Sequence, residues 1–224
     1  AFDGDGDRLG IVTKDGNIIN ADRQLMLFAA DVLSRNPSGK VIFDVKCTRN
    51  LAPWISRHGG TPIMWKTGHS FIKAKLIEEK ALLAGEMSGH LFFKERWYGF
   101  DDGLYAGARL LELLSRESDM NAVLNNLPDS INTPELQVRT AEGENYSLIA
   151  EIQKKAVFNS PQQVVTIDGL RVEYSDGFGL ARASNTTPVI VLRFEADSET
   201  ALKRIQEDFR NNIKKVKPDA QLPF

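Results

Sequence analysis

The sequence is poor in the residues that would simplify its reading. It has one cysteine and three histidines, and no apolar run approaches the roughly 20 residues of a membrane span. A lone Cys47 excludes an intrachain disulfide, which suits a reducing compartment, and a cytoplasmic location is expected. Charge of one sign is lacking too: Lys and Arg number 28 against 30 Asp and Glu, a formal net charge of −2. No global field therefore draws the chain to nucleic acid or to an acidic membrane, and neither is expected as a partner. Any anion must be held by a local site. No internal repeat, low-complexity tract or secretory pattern is visible.

The feature that is present lies at the start. Asp3-Gly4-Asp5-Gly6-Asp7-Arg8 alternates carboxylates with glycine and closes on an arginine. Crowded negative charge is unfavourable unless a cation compensates it, and glycine lets the backbone aim alternate carboxylates at one point. Hard oxygen donors suit Mg²⁺ or Ca²⁺. An EF-hand is excluded, because its sixth and twelfth positions require Gly and Glu and fall here on Arg8 and Lys14. The alternative is a solvated acidic turn. Arg8 either neutralises the cluster or grips a phosphate brought by the metal. A chain opening within such a loop is expected to be part of something longer.

From residue 17 onward, strand-like and helix-like segments alternate. Leu25, Phe28, Ala29, Val32 and Leu33 share one face of a helix over 22–35, before Asn36-Pro37. Strands are expected at 41–45, 61–66, 81–84 and 91–93, and helices at 50–58, 70–80 and 102–115. This alternation predicts a three-layer α/β sandwich with a mainly parallel sheet. Residues 128–145 are polar and loop-like, placing a boundary near 130. Beyond it, a helix over 145–157, strands near 178–183 and 188–195, and an amphipathic helix near 198–214 predict a smaller α+β domain with an antiparallel sheet. Asp168-Gly169 between residues 164–167 and 170–174 predicts a hairpin on a type I′ turn.

Ligands in open α/β sheets bind beyond the carboxyl ends of the strands. Three polar clusters fall there: Lys46-Cys47-Thr48-Arg49, Thr67-Gly68-His69-Ser70, and Gly85-Glu86-Met87-Ser88-Gly89-His90. Together they suit a polyhydroxyl ligand, with Glu86 and Ser88 hydrogen-bonding to neighbouring hydroxyls. Taken singly, Lys46 is a surface lysine, Cys47 a packed or partly exposed thiol, and each histidine a local hydrogen-bonding residue. His58 beside Gly59-Gly60 is expected to cap helical carbonyls. A fourth cluster, Arg182-Ala183-Ser184-Asn185-Thr186-Thr187, offers a guanidinium, hydroxyls, an amide and backbone N–H groups, a phosphate-binding set or else a polar hairpin loop. Without the Gly and Lys of a Walker loop, it is not expected to bind nucleoside triphosphates.

These four clusters in this order resemble the α-D-phosphohexomutase superfamily, and within it the bacterial phosphomannomutase/phosphoglucomutase branch. The resemblance implies Asp3, Asp5 and Asp7 as Mg²⁺ ligands, with Arg8 closing that loop. It implies Glu86 and Ser88 as contacts to hexose hydroxyls, and Arg182, Ser184, Asn185 and Thr186 as the phosphate grip. Lys46, Arg49, His69 and His90 fall where that family keeps residues that polarise the substrate and move protons, with His69 or His90 as the base. Met87, where phosphoglucosamine mutases usually carry Gln, favours mannose and glucose phosphates.

Family members are about twice this length and carry a phosphoserine in their first domain, in a Thr-Ala-Ser-His-Asn-Pro-like loop that is absent here. The chain is accordingly expected to hold the tail of domain two (1–17), domain three (18–130) and domain four (131–224). Its expected partners are the missing N-terminal domains, glucose and mannose 1- or 6-phosphate, and the 1,6-bisphosphate through which the phosphoserine interconverts them. The fragment is expected to be inactive alone. A non-catalytic sugar-phosphate-binding module and a phosphoglucosamine mutase are the alternatives.

Overall fold

The computed structural model describes all residues, 1–224, and divides into two compact units, Ala1–Asp129 and Ser130–Phe224. In the first, a short hairpin of β1 (Ile11–Val12) and β2 (Ile18–Ile19) leads into α1 (Ala21–Arg35). There follow β3 (Lys40–Asp44), α2 (Leu51–Arg57), β4 (Thr61–Trp65), α3 (His69–Glu78), β5 (Leu83–Gly85), β6 (Leu91–Phe93), α4 (Gly103–Leu114) and α5 (Met120–Asn125). The sheet order is β4-β3-β5-β6, with β3 parallel to β4 and β5, and β6 antiparallel to β5.

Side-chain alternation along β3 builds the three layers. Val41 and Phe43 join Leu25, Phe28 and Val32 of α1 and Ile55 of α2 in the main core. Ile42 joins Ile72 and Leu76 of α3 in a second core on the opposite face. With both faces covered, β3 is an uninterrupted apolar run, as parallel central strands are. The strand ends Asp44 and Gly85 thereby bring the loops that follow them to one edge.

The second unit holds β7 (Ile131–Asn132), β8 (Leu136–Arg139), α6 (Glu144–Lys155), β9 (Gln163–Val165), β10 (Leu170–Tyr174), β11 (Gly177–Ala183), β12 (Val189–Ala196) and α7 (Glu199–Val216). All its pairings are antiparallel, in the order β7-β12-β11-β10-β9, with β8 also on β12. Ala201, Ile205, Phe209 and Ile213 of α7 pack onto the sheet core. Phe209 lies so close to β11 that a Cβ on Gly179 would fall 2.3 Å from its ring. Ser198 caps α7 by accepting from the Ala201 N–H.

Two expectations require correction. The stretch 128–145 is not merely loop: β7 and β8 lie in it, and their order comes from pairing with β12 rather than from an apolar pattern of their own. Nor do β9 and β10 meet across a two-residue type I′ turn. Arg171 pairs with Val165, so Asp168-Gly169 belongs to a longer loop. The cause is tertiary. Asp168 pairs with Arg182, and Gly169, at φ +80°, crosses so close to β11 that a Cβ would sit 2.4 Å from the Ala181 carbonyl oxygen.

Candidate functional site

Asp3, Asp5 and Asp7 each place a carboxylate oxygen within 4.8 Å of the other two. Gly6, at φ +78°, makes the turn that aims them. The loop backbone is braced by the start of α4, where a Cβ on Gly103 would fall 2.7 Å from the Gly6 oxygen and 2.9 Å from the Arg8 nitrogen. Arg8 Nε lies 2.5 Å from Asp3 Oδ2 and 3.6 Å from Asp7 Oδ1. Desolvation pushes the Asp3 carboxyl up, but hydrogen bonds from the Arg8 side chain and backbone outweigh it and hold it below its usual range. Asp7 Oδ1 is shielded from water and accepts no hydrogen bond. These donors fit a hard divalent ion: oxygens about 2.1 Å from Mg²⁺ stand roughly 3 to 4 Å apart.

An antiparallel bridge between Arg8 and His90 joins this loop to the end of the loop after β5. His90 Nδ1 is 3.5 Å from Asp7 Oδ2 and 3.2 Å from Asp101 Oδ2. Lys73 Nζ holds Asp101 at 3.1 Å. Burial raises the Asp101 carboxyl, yet the Lys73 hydrogen bond prevails and lowers it. His69, exposed at the first position of α3, brings its ring centroid to 5.7 Å from that of His90.

Glu86 is buried, with Oε2 accepting from Ser88 Oγ at 2.8 Å and Oε1 from the Gly68 N–H at 3.1 Å. Burial first, and the nearby Asp44 charge second, push its carboxyl above the usual value. The two expected sugar contacts are thus bonded to each other. Met87 packs partly against the main core, so packing accounts for its side chain.

One buried carboxylate ties the strand-end loops together. Asp44 Oδ1 accepts from the Met87 N–H at 3.1 Å and the Cys47 thiol at 3.1 Å, while Oδ2 accepts from Thr67 Oγ1 at 2.8 Å. Of the two expected settings for Cys47, packed or partly exposed, the structure shows the packed one. Lys46 is buried beside that thiol, and Arg49 is half-buried in the turn before α2. His58 Nδ1 meets the Trp54 carbonyl oxygen at 2.8 Å, as its place at a helix end predicts.

The fourth cluster lies in the second unit. Arg182, near the end of β11, is buried and donates from Nε to Asp168 Oδ2 at 3.0 Å, while its Nη2 is buried without a hydrogen-bond partner. Ser184 is buried, and Asn185, Thr186 and Thr187 are exposed in the turn to β12. Ser184 Oγ meets Thr187 Oγ1 at 2.9 Å and accepts long bonds from the Thr186 and Thr187 N–H groups, at 3.4 and 3.3 Å. The loop borders a cleft of about 240 Å³ shared with Gly143 and Tyr146.

Two family models match in sequence order. The phosphoglucomutase/phosphomannomutase alpha/beta/alpha domain III covers residues 20–131, and the C-terminal domain of the same family covers 135–212. The chain belongs to the phosphoglucomutase/phosphomannomutase family. It is 67% identical over 211 residues to a phosphoglucomutase of Neisseria meningitidis, covering 94% of this chain and 46% of that protein. It is 56% identical to a phosphomannomutase/phosphoglucomutase of Pseudomonas syringae, covering 100% of this chain and 48% of the relative. The crystal structure of a family protein from Burkholderia thailandensis superposes with a TM-score of 0.95 at 66% identity, over all of this chain and 48% of that one. The chain therefore spans about half the length of the curated relatives it matches.

Within this family fold, the sequence reading passed over Asp101, Asp44 and Gly103. Asp101 had a local signal. Asp101-Asp102-Gly103 opens α4, and Asp102 alone suffices as the N-cap, accepting from the Tyr105 N–H at 2.8 Å. The preceding aspartate is surplus to the cap.

Proposed function

We propose that this chain is the metal-, sugar- and phosphate-binding portion of a phosphomannomutase/phosphoglucomutase that interconverts hexose 1-phosphate and 6-phosphate. In the resemblance, a phosphoserine in the other half of the protein donates its phosphoryl group to the substrate and recovers one from the 1,6-bisphosphate. The observation that carries this reading is the Arg8–His90 bridge, which sets a three-carboxylate loop beside a buried Glu86–Ser88 pair and two neighbouring histidines. That arrangement can hold a cation, a polyol and a proton acceptor in one place.

Asp3, Asp5 and Asp7 would hold Mg²⁺, which when bound supplies positive charge against the transferring phosphoryl group. Arg8, paired with Asp3 at 2.5 Å, closes the loop and offsets part of its negative charge. Glu86 accepts from, and Ser88 donates to, hydroxyls of the hexose once their mutual bond opens. His90, whose Nδ1 lies 3.5 Å from Asp7 and 3.2 Å from Asp101, accepts the proton of the reacting hydroxyl at its other ring nitrogen. His69 and Lys46 lend polar support. In the second unit, Arg182, Ser184, Asn185 and Thr186 grip the phosphate that is not reacting, so that binding energy positions the hydroxyl that is.

The decisive test supplies the serine-bearing half of a close relative in trans and follows conversion of glucose 1-phosphate to glucose 6-phosphate. Activity from the pair, with none from this chain alone, is expected. Association of the two halves without turnover would leave a sugar-phosphate-binding module as the better reading.

A further inference from the structure

Asn145 occupies the second position of α6 and is buried, a poor place for asparagine on helix propensity alone. Its contacts account for it. Oδ1 accepts from the Tyr146 N–H at 3.0 Å, satisfying one of the helix's orphan donors. Nδ2 reaches out of the helix to three carbonyl oxygens that flank the loop after β11: Ser184 at 3.0 Å, Thr187 at 3.4 Å and Val189 at 3.4 Å. One primary amide has two hydrogens, so one is shared between the two longer contacts.

Carbonyl oxygens turned toward an anion repel it, while amide N–H groups and hydroxyls attract it. Two of these carbonyls also accept backbone bonds, Val189 from the Ser184 N–H at 3.0 Å and Thr187 from the Val189 N–H at 2.8 Å, and Asn145 adds the contact that draws all three, Ser184 included, to one side of the loop. The donors are the N–H groups of Thr186 and Thr187, held only by long bonds to Ser184 Oγ, and the hydroxyls of Ser184, Thr186 and Thr187. A second tie comes from the next residue of α6, as the Tyr146 hydroxyl donates to Asn185 Oδ1 at 3.3 Å. The loop is thus fastened to the first turn of α6.

The geometry points to Asn145 as the positioning residue of the phosphate loop: it fixes the peptide orientation that presents N–H groups to the phosphate of a hexose phosphate. This rests on the reading of residues 182–187 as a phosphate grip. Asn145 itself need not touch the ligand. A residue that merely fills the helix–loop junction would affect stability and binding together, whereas a positioning residue affects binding at preserved fold.

The test uses the 224-residue chain, ¹⁵N-labelled and titrated with inorganic phosphate. In the wild type, the Ser184–Thr187 amides should shift saturably, and Arg182→Ala should abolish the response. Asn145→Asp keeps the volume and replaces the donor, and Asn145→Ala removes it. Each should weaken phosphate binding at the loop about tenfold or more, with the Leu170–Tyr174 amides and the thermal midpoint retained. Should Asn145→Asp unfold the unit, Asn145→Ala and Asn145→Ser give the same comparison. Wild-type affinity in Asn145→Ala overturns the inference and leaves the phosphate reading intact. Weakened binding accompanied by collapse of the Leu170–Tyr174 amides assigns Asn145 to structural support and also overturns it. A wild-type loop that ignores phosphate overturns the reading and the inference together.

Discussion

His90 Nδ1 stands 3.2 Å from Asp101 Oδ2, buried and without an aligned hydrogen bond, and the Lys73 hydrogen bond holds the Asp101 carboxyl below its usual range. When a carboxylate aligns with one imidazole nitrogen it fixes the tautomer and ring orientation, and leaves the other nitrogen to take a proton; Asp101 is placed to do so. If the proposed reconstitution with a relative's serine-bearing half yields activity, Asp101→Asn should lower kcat for glucose 1-phosphate at least about tenfold, with KM little changed. Equal loss in kcat and in sugar-phosphate affinity would instead make Asp101 a binding residue. Unchanged kcat would remove His90 from the proton-transfer role.

Glu86 carries an opposite perturbation. Its carboxyl is raised by burial and then by the Asp44 charge, so the folded state holds that proton to higher pH than the unfolded chain does. The sign follows: as pH rises from 4.5 through the folded value, ionising Glu86 costs stability while creating the carboxylate acceptor proposed for the sugar. Glu86→Gln should therefore raise the thermal midpoint at pH 7 and weaken glucose 6-phosphate binding. Phosphate ionisation near about pH 6 affects both proteins alike. The excess loss of affinity on acidification in the wild type is the measure of Glu86. A variant no more stable than wild type would contradict the burial argument.

Gly103 gives a prediction about the metal. A methyl group there meets the backbone of Gly6, Asp7 and Arg8 at 2.7 to 2.9 Å, and backbone cannot rotate aside as a side chain can. Gly103→Ala should displace the carboxylate loop, destabilise the first unit by about 1–3 kcal/mol, and weaken Mg²⁺ binding in calorimetric titration. Asp5→Asn, at an exposed position, should weaken the ion without the loss of stability. Full metal affinity in Gly103→Ala would show that the loop takes its shape from its own glycines.

What the sequence could disclose follows the range of the interactions. The stripe of Leu25, Phe28, Val32 and Leu33 announces α1 because helix periodicity is local, and β3 announces itself as a strand buried on both faces. The carboxylates at positions 3, 5 and 7 are legible for the same reason. β8 is not, since Leu136–Arg139 become a strand only by pairing with β12, more than fifty residues later. The Asp168-Gly169 turn was misread because its aspartate serves Arg182 rather than a tight hairpin. Asp44, Asp101 and Asn145 were invisible as site residues for a related reason. Each is an ordinary polar side chain whose partners lie on other elements; only Asp101 carries a local mark, as an aspartate surplus to the Asp102 cap.

Asp31 supplies the last prediction, on stability. Its carboxylate receives Arg35 Nη1 and Nη2 at 2.7 and 2.8 Å and Arg109 Nη2 at 2.7 Å, all within the first unit. Burial opposes its ionisation, but the Arg35 and Arg109 hydrogen bonds prevail and lower it from 3.8 to about 2. A depressed carboxylate contributes stability that is fully present above its unfolded value and is lost as pH falls through its folded one. The window here is therefore pH 4 down to about 2, and the contribution is about 2 kcal/mol. All three tryptophans, Trp54, Trp65 and Trp97, lie in this unit, so urea unfolding followed by their fluorescence reports on it alone. Asp31→Asn should be destabilised at pH 7 by about 3 kcal/mol, since Arg109 is buried and loses a partner. It should also lose less stability than the wild type between pH 4 and pH 2. Parallel pH dependence in the two proteins would mean that the Asp31–Arg109 pair is not what holds α1 to α4 in acid.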